Sequence, residues 1–278
     1  YCNKFNPIGY CSRIDRAGAH NFGTVNEVNY VIMQAFTNKK DVNAEVDKFF
    51  EEKYGKNAKT VKELMLETEN LQKSIFYING YYFTELSRFP SLNHSKNHFY
   101  FEIMKKNYQI KSNEWFIPIG WERGSIENLL LEKQRAVEMS EKLFNKVKDL
   151  QDKLSQEDYS DLYFKFANLY LVARIWQQLL NVYIYYVKAL EENSSFETKF
   201  NASIEKLSDA NRQGKQLLGN KFYPLTVDNA VGGTITQDKI ESFIDEVKKS
   251  FSIEKKSHQE KTDDLTDFIV CGGALEGH

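Results

Sequence analysis

Apolar residues recur along this chain at spacings of three and four, which is the signature of helices with one buried face. Thr24 reads as an N-cap with Glu27 as its capping-box partner, and Val28, Ile32 and Phe36 then fall on one face. A second helix is predicted from Asp41, with Val42, Val46, Phe49 and Phe50 apolar, ending at Gly55. From Asn57 to about Arg88, Val61, Leu64, Leu71, Ile75, Ile78 and Tyr82 keep helical spacing. Asn79-Gly80 interrupts that run. Alone it would signal a turn, but the sustained period reads as a helix with a local kink or a tolerated glycine.

Residues 89–124 are the most irregular interior stretch, with a short helix expected over Asn97–Lys106. A charged helix is predicted from Ser125 to Leu154, with Leu130, Val137, Phe144, Val147 and Leu154 on its buried side. The next, over 156–193, has the strongest pattern in the chain. Leu162, Phe166, Leu169, Ala173, Trp176, Leu180, Tyr183, Val187 and Leu190 step by four and three as a heptad seam, which needs a long facing helix. The preceding helix, joined through Ser155-Gln156-Glu157-Asp158, is its natural antiparallel partner. Further helices are expected over 196–218 and Asp238–Phe251, followed by a polar tail and a short β-like run at Leu265–Val270.

These elements predict an all-α fold, a bundle of about seven to eight helices with a long antiparallel hairpin and a short extended tail. The expected organisation is an irregular lead-in over 1–23 from an upstream domain, a helical domain over 24–254, and a tail or linker over 255–275. Residues 276–278 look like the remnant of a tag. The chain has 278 residues, enough for one large domain or two small ones. Only 4 Pro and 14 Gly occur, which suits long helices better than a sandwich or barrel.

Charge narrows the function classes. With 37 basic and 39 acidic residues the formal net charge is -2, which gives no basic field for nucleic acid. No apolar run reaches the ~18 residues of a membrane-spanning helix. Cys2, Cys11 and Cys271 make no closed disulfide framework, and Cys2, Cys11 and His20 lack zinc-site spacing and a fourth ligand. No metal site and no cofactor are expected.

No hydrolase, phosphate-loop or dinucleotide motif occurs, and no pair of carboxylates stands out for glycoside hydrolysis, so no catalytic residue is nominated. Arg13, Asp15, Arg16 and His20 cluster in the lead-in. They read as a local ion-pair network, or as a rim that holds a sugar or carboxylate with arginine as clamp. Trp115 and Trp121 share one loop with Phe116 and Pro118, and read as a cap on the bundle or as an aromatic platform for a ligand. The aromatic content of 14% fits a large core with tyrosines at its edge.

One segment points further. Asn26-Glu27-Val28-Asn29-Tyr30, then Asp41-Val42-Asn43, then Lys53-Tyr54-Gly55, within residues 21–61, resemble a pattern that follows the catalytic barrel of bacterial (Bacteroides-type) α-glucuronidase-like glycoside hydrolases and related secreted proteins. Where that family often has a Trp-Asn/Asp-Pro sequence before the Asp-Val pair, this chain has Thr37-Asn38-Lys39-Lys40. The resemblance covers about forty residues, and the helical remainder matches only in kind. It implies a non-catalytic C-terminal helical domain, secreted or periplasmic, that packs on a preceding catalytic barrel and completes its rim. Its implied partners are that barrel and an oligo- or polysaccharide. The alternative is a stand-alone helical glycan-binding or scaffold protein.

Overall fold

The fold is that of a computed structural model, which describes residues 24–78, 81–82, 126–191, 194–219, 225–226, 234–235 and 237–272. Short-range capping sets the first elements. Thr24 Oγ1 accepts from the Asn26 amide at 3.2 Å and opens a 3-10 turn, Val25–Glu27, before α1 (Val28–Thr37) begins. Val25, Val28 and Ala35 are buried and Phe36 is half-buried, while Ile32 is 38% exposed, so of the predicted 28/32/36 stripe Ile32 turns outward. Asp41 caps α2 (Val42–Tyr54), its Oδ1 accepting from the amides of Asn43 at 2.9 Å and Ala44 at 3.2 Å. The helix stops at Gly55, whose φ of 51° is costly for residues with a side chain.

From there the chain runs as an up-and-down bundle: α3 (Ala58–Phe76), α4 (Ile126–Lys148), α5 (Gln156–Glu191), α6 (Ser194–Leu218) and α7 (Gln237–Gly272). Cross-helix contacts give each direction. Lys146 meets Glu67 at 3.2 Å and Lys133 Nζ meets the Ile75 carbonyl at 3.2 Å, so α4 descends beside α3. Gln177 bonds Gln134 at 2.6 Å, and the Phe144 and Tyr163 rings lie 5.1 Å apart, so α5 rises beside α4. That is the antiparallel hairpin expected from sequence. Arg174 pairs with Asp209 at 3.5 Å and Tyr186 packs on Phe200 at 5.7 Å as α6 descends. Finally α7 rises against α6, with Lys255 on Glu197 at 2.6 Å, and against α5, with Tyr183 and Phe243 rings 5.3 Å apart.

The heptad seam understates α5. From Leu171 to Tyr186 every residue is buried except Arg174, Asn181 and Tyr185, which are half-buried. A helix apolar on all sides belongs at the centre of a structure, and α5 is the axle on which α3, α4, α6 and α7 pack. At roughly 1.5 Å per residue its 36 residues span about 54 Å.

Several boundaries differ from expectation. The α4 helix ends at Lys148, and turns over 149–153 lead to Ser155, which caps α5. Ser155 to Asp158 is therefore the first turn of α5 rather than the connection, and Leu154 packs on the core from a bend outside any helix. After Phe76 the chain forms an antiparallel strand pair, Tyr77↔Tyr82 and Ile78↔Tyr81, with Asn79-Gly80 between. The helical period that Ile78 and Tyr82 share with α3 therefore does not continue the helix past Phe76, and Asn79-Gly80 itself lies outside the described residues. A second pair, Leu225↔Ile235 and Thr226↔Thr234, completes the strand content among the described residues. The extended tail is also corrected: α7 continues through Leu265–Val270 to Gly272, across the expected boundary at 254. Seven α-helices are thus described, in line with an all-α bundle.

Candidate functional site

Among the described residues, polar side chains gather inside the bundle in several places, three of which are set by the helix ends or the α5 axle. The first lies at the foot of α5. Ser155 Oγ accepts from the Asp158 amide at 3.1 Å and donates to Asp158 Oδ2 at 2.6 Å. Lys53, in the last turn of α2, meets Asp158 Oδ1 at 2.9 Å. One turn on, Asp161 Oδ2 accepts from the Val25 amide at 2.9 Å while Oδ1 pairs with Lys165. Nearby, Asn57 Nδ2 donates to the Lys153 carbonyl at 2.8 Å. The buried Tyr54 hydroxyl faces this group. Burial first, then the negative charges of Asp158 and Asp161, push its ionisation far upward. Both carboxylates are engaged by lysine and by a further donor, and through Lys53 and the Val25 amide they hold α2 and the start of α1 onto α5.

The second place is the end of α3. Lys133 is 2% exposed, and its ammonium donates to the carbonyls of Ser74 and Ile75 and to Glu132 Oε1 at 3.1 Å. Those carbonyls lie in the last turn of α3, where the helix lacks partners of its own and where the dipole favours a cation. Burial pulls the Lys133 ammonium from its ordinary 10.5 down to about 8, against the opposing charge of Glu132. Burial likewise raises Glu132, against the lowering effect of Lys133.

The third is a chain of amides across α4 and α5. Asn181 Nδ2 donates to Gln178 Oε1 at 3.4 Å, Gln178 Nε2 to Gln177 Oε1 at 2.9 Å, and Gln177 Nε2 to Gln134 Oε1 at 2.6 Å. Gln134 Nε2 then donates to Glu138 at 2.8 Å, out at the surface. Such a chain fixes register between two otherwise apolar faces, because a slip would strand buried amides.

The residues singled out from sequence, Arg13, Asp15, Arg16 and His20 in the lead-in and Trp115 and Trp121 in the interior loop, lie outside the described residues, as do Cys2 and Cys11. Lys133 was missed, although a signal existed. Leu130, Val137, Phe144 and Val147 mark the inward stripe of α4, and Lys133 and Ser140 fall on the same three-four spacing. Among the described residues no group of three or more His, Cys, Asp and Glu is placed to hold a metal ion. No helix among them is long and apolar enough to cross a membrane.

Compared with known proteins, the chain matches no family model, no curated protein and no solved structure.

Proposed function

We propose that this chain is a non-catalytic helical domain that packs on the catalytic barrel of a secreted or periplasmic glycoside hydrolase and completes the rim of its active site. The observation carrying this reading is how the residues that bear the family resemblance are used. Asp41 is the cap of α2, Gly55 is its positive-φ stop, and Lys53 and Tyr54 sit at its junction with α5. Val25 and Val28, flanking the Asn26-Glu27 pair, are buried at the entry to α1. The pattern thus seats the start of α1 and the end of α2 on the foot of the central helix, which fits a helical domain entered from a preceding one. Arg13, Asp15, Arg16 and His20 precede that entry in the sequence, an order that fits residues contributing to a neighbouring rim.

The test is functional. The isolated chain, given aryl glycosides and oligosaccharides, is expected to release no product and to bind no sugar on its own. Joined to the catalytic domain proposed to precede it, the chain is expected to support hydrolysis that falls on Arg13→Ala or Asp15→Ala. Oligosaccharide binding by the isolated chain that disappears on Trp115→Ala and Trp121→Ala would overturn the proposal and favour a stand-alone glycan-binding protein.

A further inference from the structure

The joint between α2 and the foot of α5 contains one buried group without a hydrogen-bond partner. Tyr54 is 5% exposed, and its hydroxyl oxygen is buried with no hydrogen-bond partner among the described residues. Burial and the two aspartates keep that hydroxyl protonated, so it is a donor in need of an acceptor. The aspartates that bear on it already hold one donor on each oxygen: Lys53 and Ser155 on Asp158, Lys165 and Val25 on Asp161. Every carboxylate oxygen has capacity for a second donor. Two ammonium groups balance two carboxylates, so the joint has no net charge with which to draw an ion.

We propose that the joint is a binding site for one neutral guest, a single water molecule, which accepts from Tyr54 Oη and donates to the facing carboxylates of Asp158 and Asp161. Buried waters typically make about three such bonds to groups that would otherwise be unsatisfied, and these three residues supply that number. The consequence is mechanical. The α1–α2 unit is fastened to the central helix through a hydrated polar joint, while its apolar residues Phe50 and Tyr54 bring it against the core. This inference is independent of the proposed function.

A high-resolution crystal structure of the full chain, with thermal melts of wild type and Tyr54→Phe, tests it. The expected result is an ordered water within about 3 Å of Tyr54 Oη and of an aspartate oxygen. That water is expected to be missing in Tyr54→Phe, with Tm lower by about 2–4 °C. A direct bond from Oη to a carboxylate, an Oη with no water beside it, or a Tyr54→Phe melt at or above the wild-type Tm would each overturn the proposal.

Discussion

Replacing Lys133 by methionine gives the sharpest test of the electrostatics. The side chain keeps its unbranched reach and loses its charge and its bonds to the Ser74 and Ile75 carbonyls. In the folded chain burial pulls the ammonium to about 8, against its ordinary 10.5. Between those values the unfolded chain holds a proton that the folded chain has released, so stability rises with pH. Below about 8 both states are protonated and the full penalty of burying the charge applies. From about pH 7 to about pH 9.5 the gain amounts to about 2 kcal/mol. Glu132 runs the other way: its raised folded pKa adds stability under acidic conditions and leaves the alkaline window alone. Tyrosines and other lysines titrate in both proteins and cancel in the comparison. Stabilities from urea denaturation at the two pH values are therefore expected to show the difference between wild type and Lys133→Met shifting by about 2 kcal/mol in favour of wild type at the higher pH. The reasoning is refuted if that difference is the same at both.

Trp176 is 2% exposed at the middle of the α5 axle. Trp176→Ala is expected to cost about 3–5 kcal/mol in urea denaturation, and an unchanged midpoint would contradict its place in the core. Gly55→Ala is expected to cost about 1–3 kcal/mol through backbone strain alone, since φ is 51° and nothing lies within 4 Å of the added carbon. Crystallography would then show the neighbours unmoved, and a displaced neighbour would point to crowding instead. Asp41→Ala is expected to lose about 1 kcal/mol, read as lower protection from hydrogen exchange in the first turn of α2 with the rest of the bundle unaffected.

Local signals with a single physical meaning were the most legible in the sequence. A helix start at Asp41 and a stop at Gly55 follow from side-chain and backbone chemistry within four residues, and the fold has Asp41 as the cap of α2 and Gly55 as its end. The hairpin of α4 and α5 was equally visible, because a long apolar stripe demands a long partner. What the stripe could not disclose was the number of partners. Ile175, Leu179, Val182, Ile184 and Tyr186 lie off the heptad seam and are buried as fully as the residues on it, because neighbouring helices surround α5. Two readings failed for different reasons: helical period outweighed the turn signal of Asn79-Gly80, which lies between paired strands, and the apolar run at Leu265–Val270, too short to show a period, read as β-like where a helix continues. Lys133 shows the opposite failure. A lysine on an inward stripe was read as part of a charged helix, when the free carbonyls at the end of α3 give a buried cation its reason. The foot of α5 was not legible, since Val25 and Asp161 are 136 positions apart and only the fold brings them together.

Association in solution between this chain and the catalytic domain proposed to precede it tests the central claim most directly. With the two produced separately and mixed, sedimentation and calorimetry are expected to show a one-to-one complex with Kd in the low micromolar range or tighter. Weakening of that complex on Arg13→Ala and Arg16→Ala would fit a lead-in that lies against the barrel. Two species that sediment independently at every concentration, with no heat of mixing, would contradict the account of this chain as a domain built to pack on a catalytic barrel.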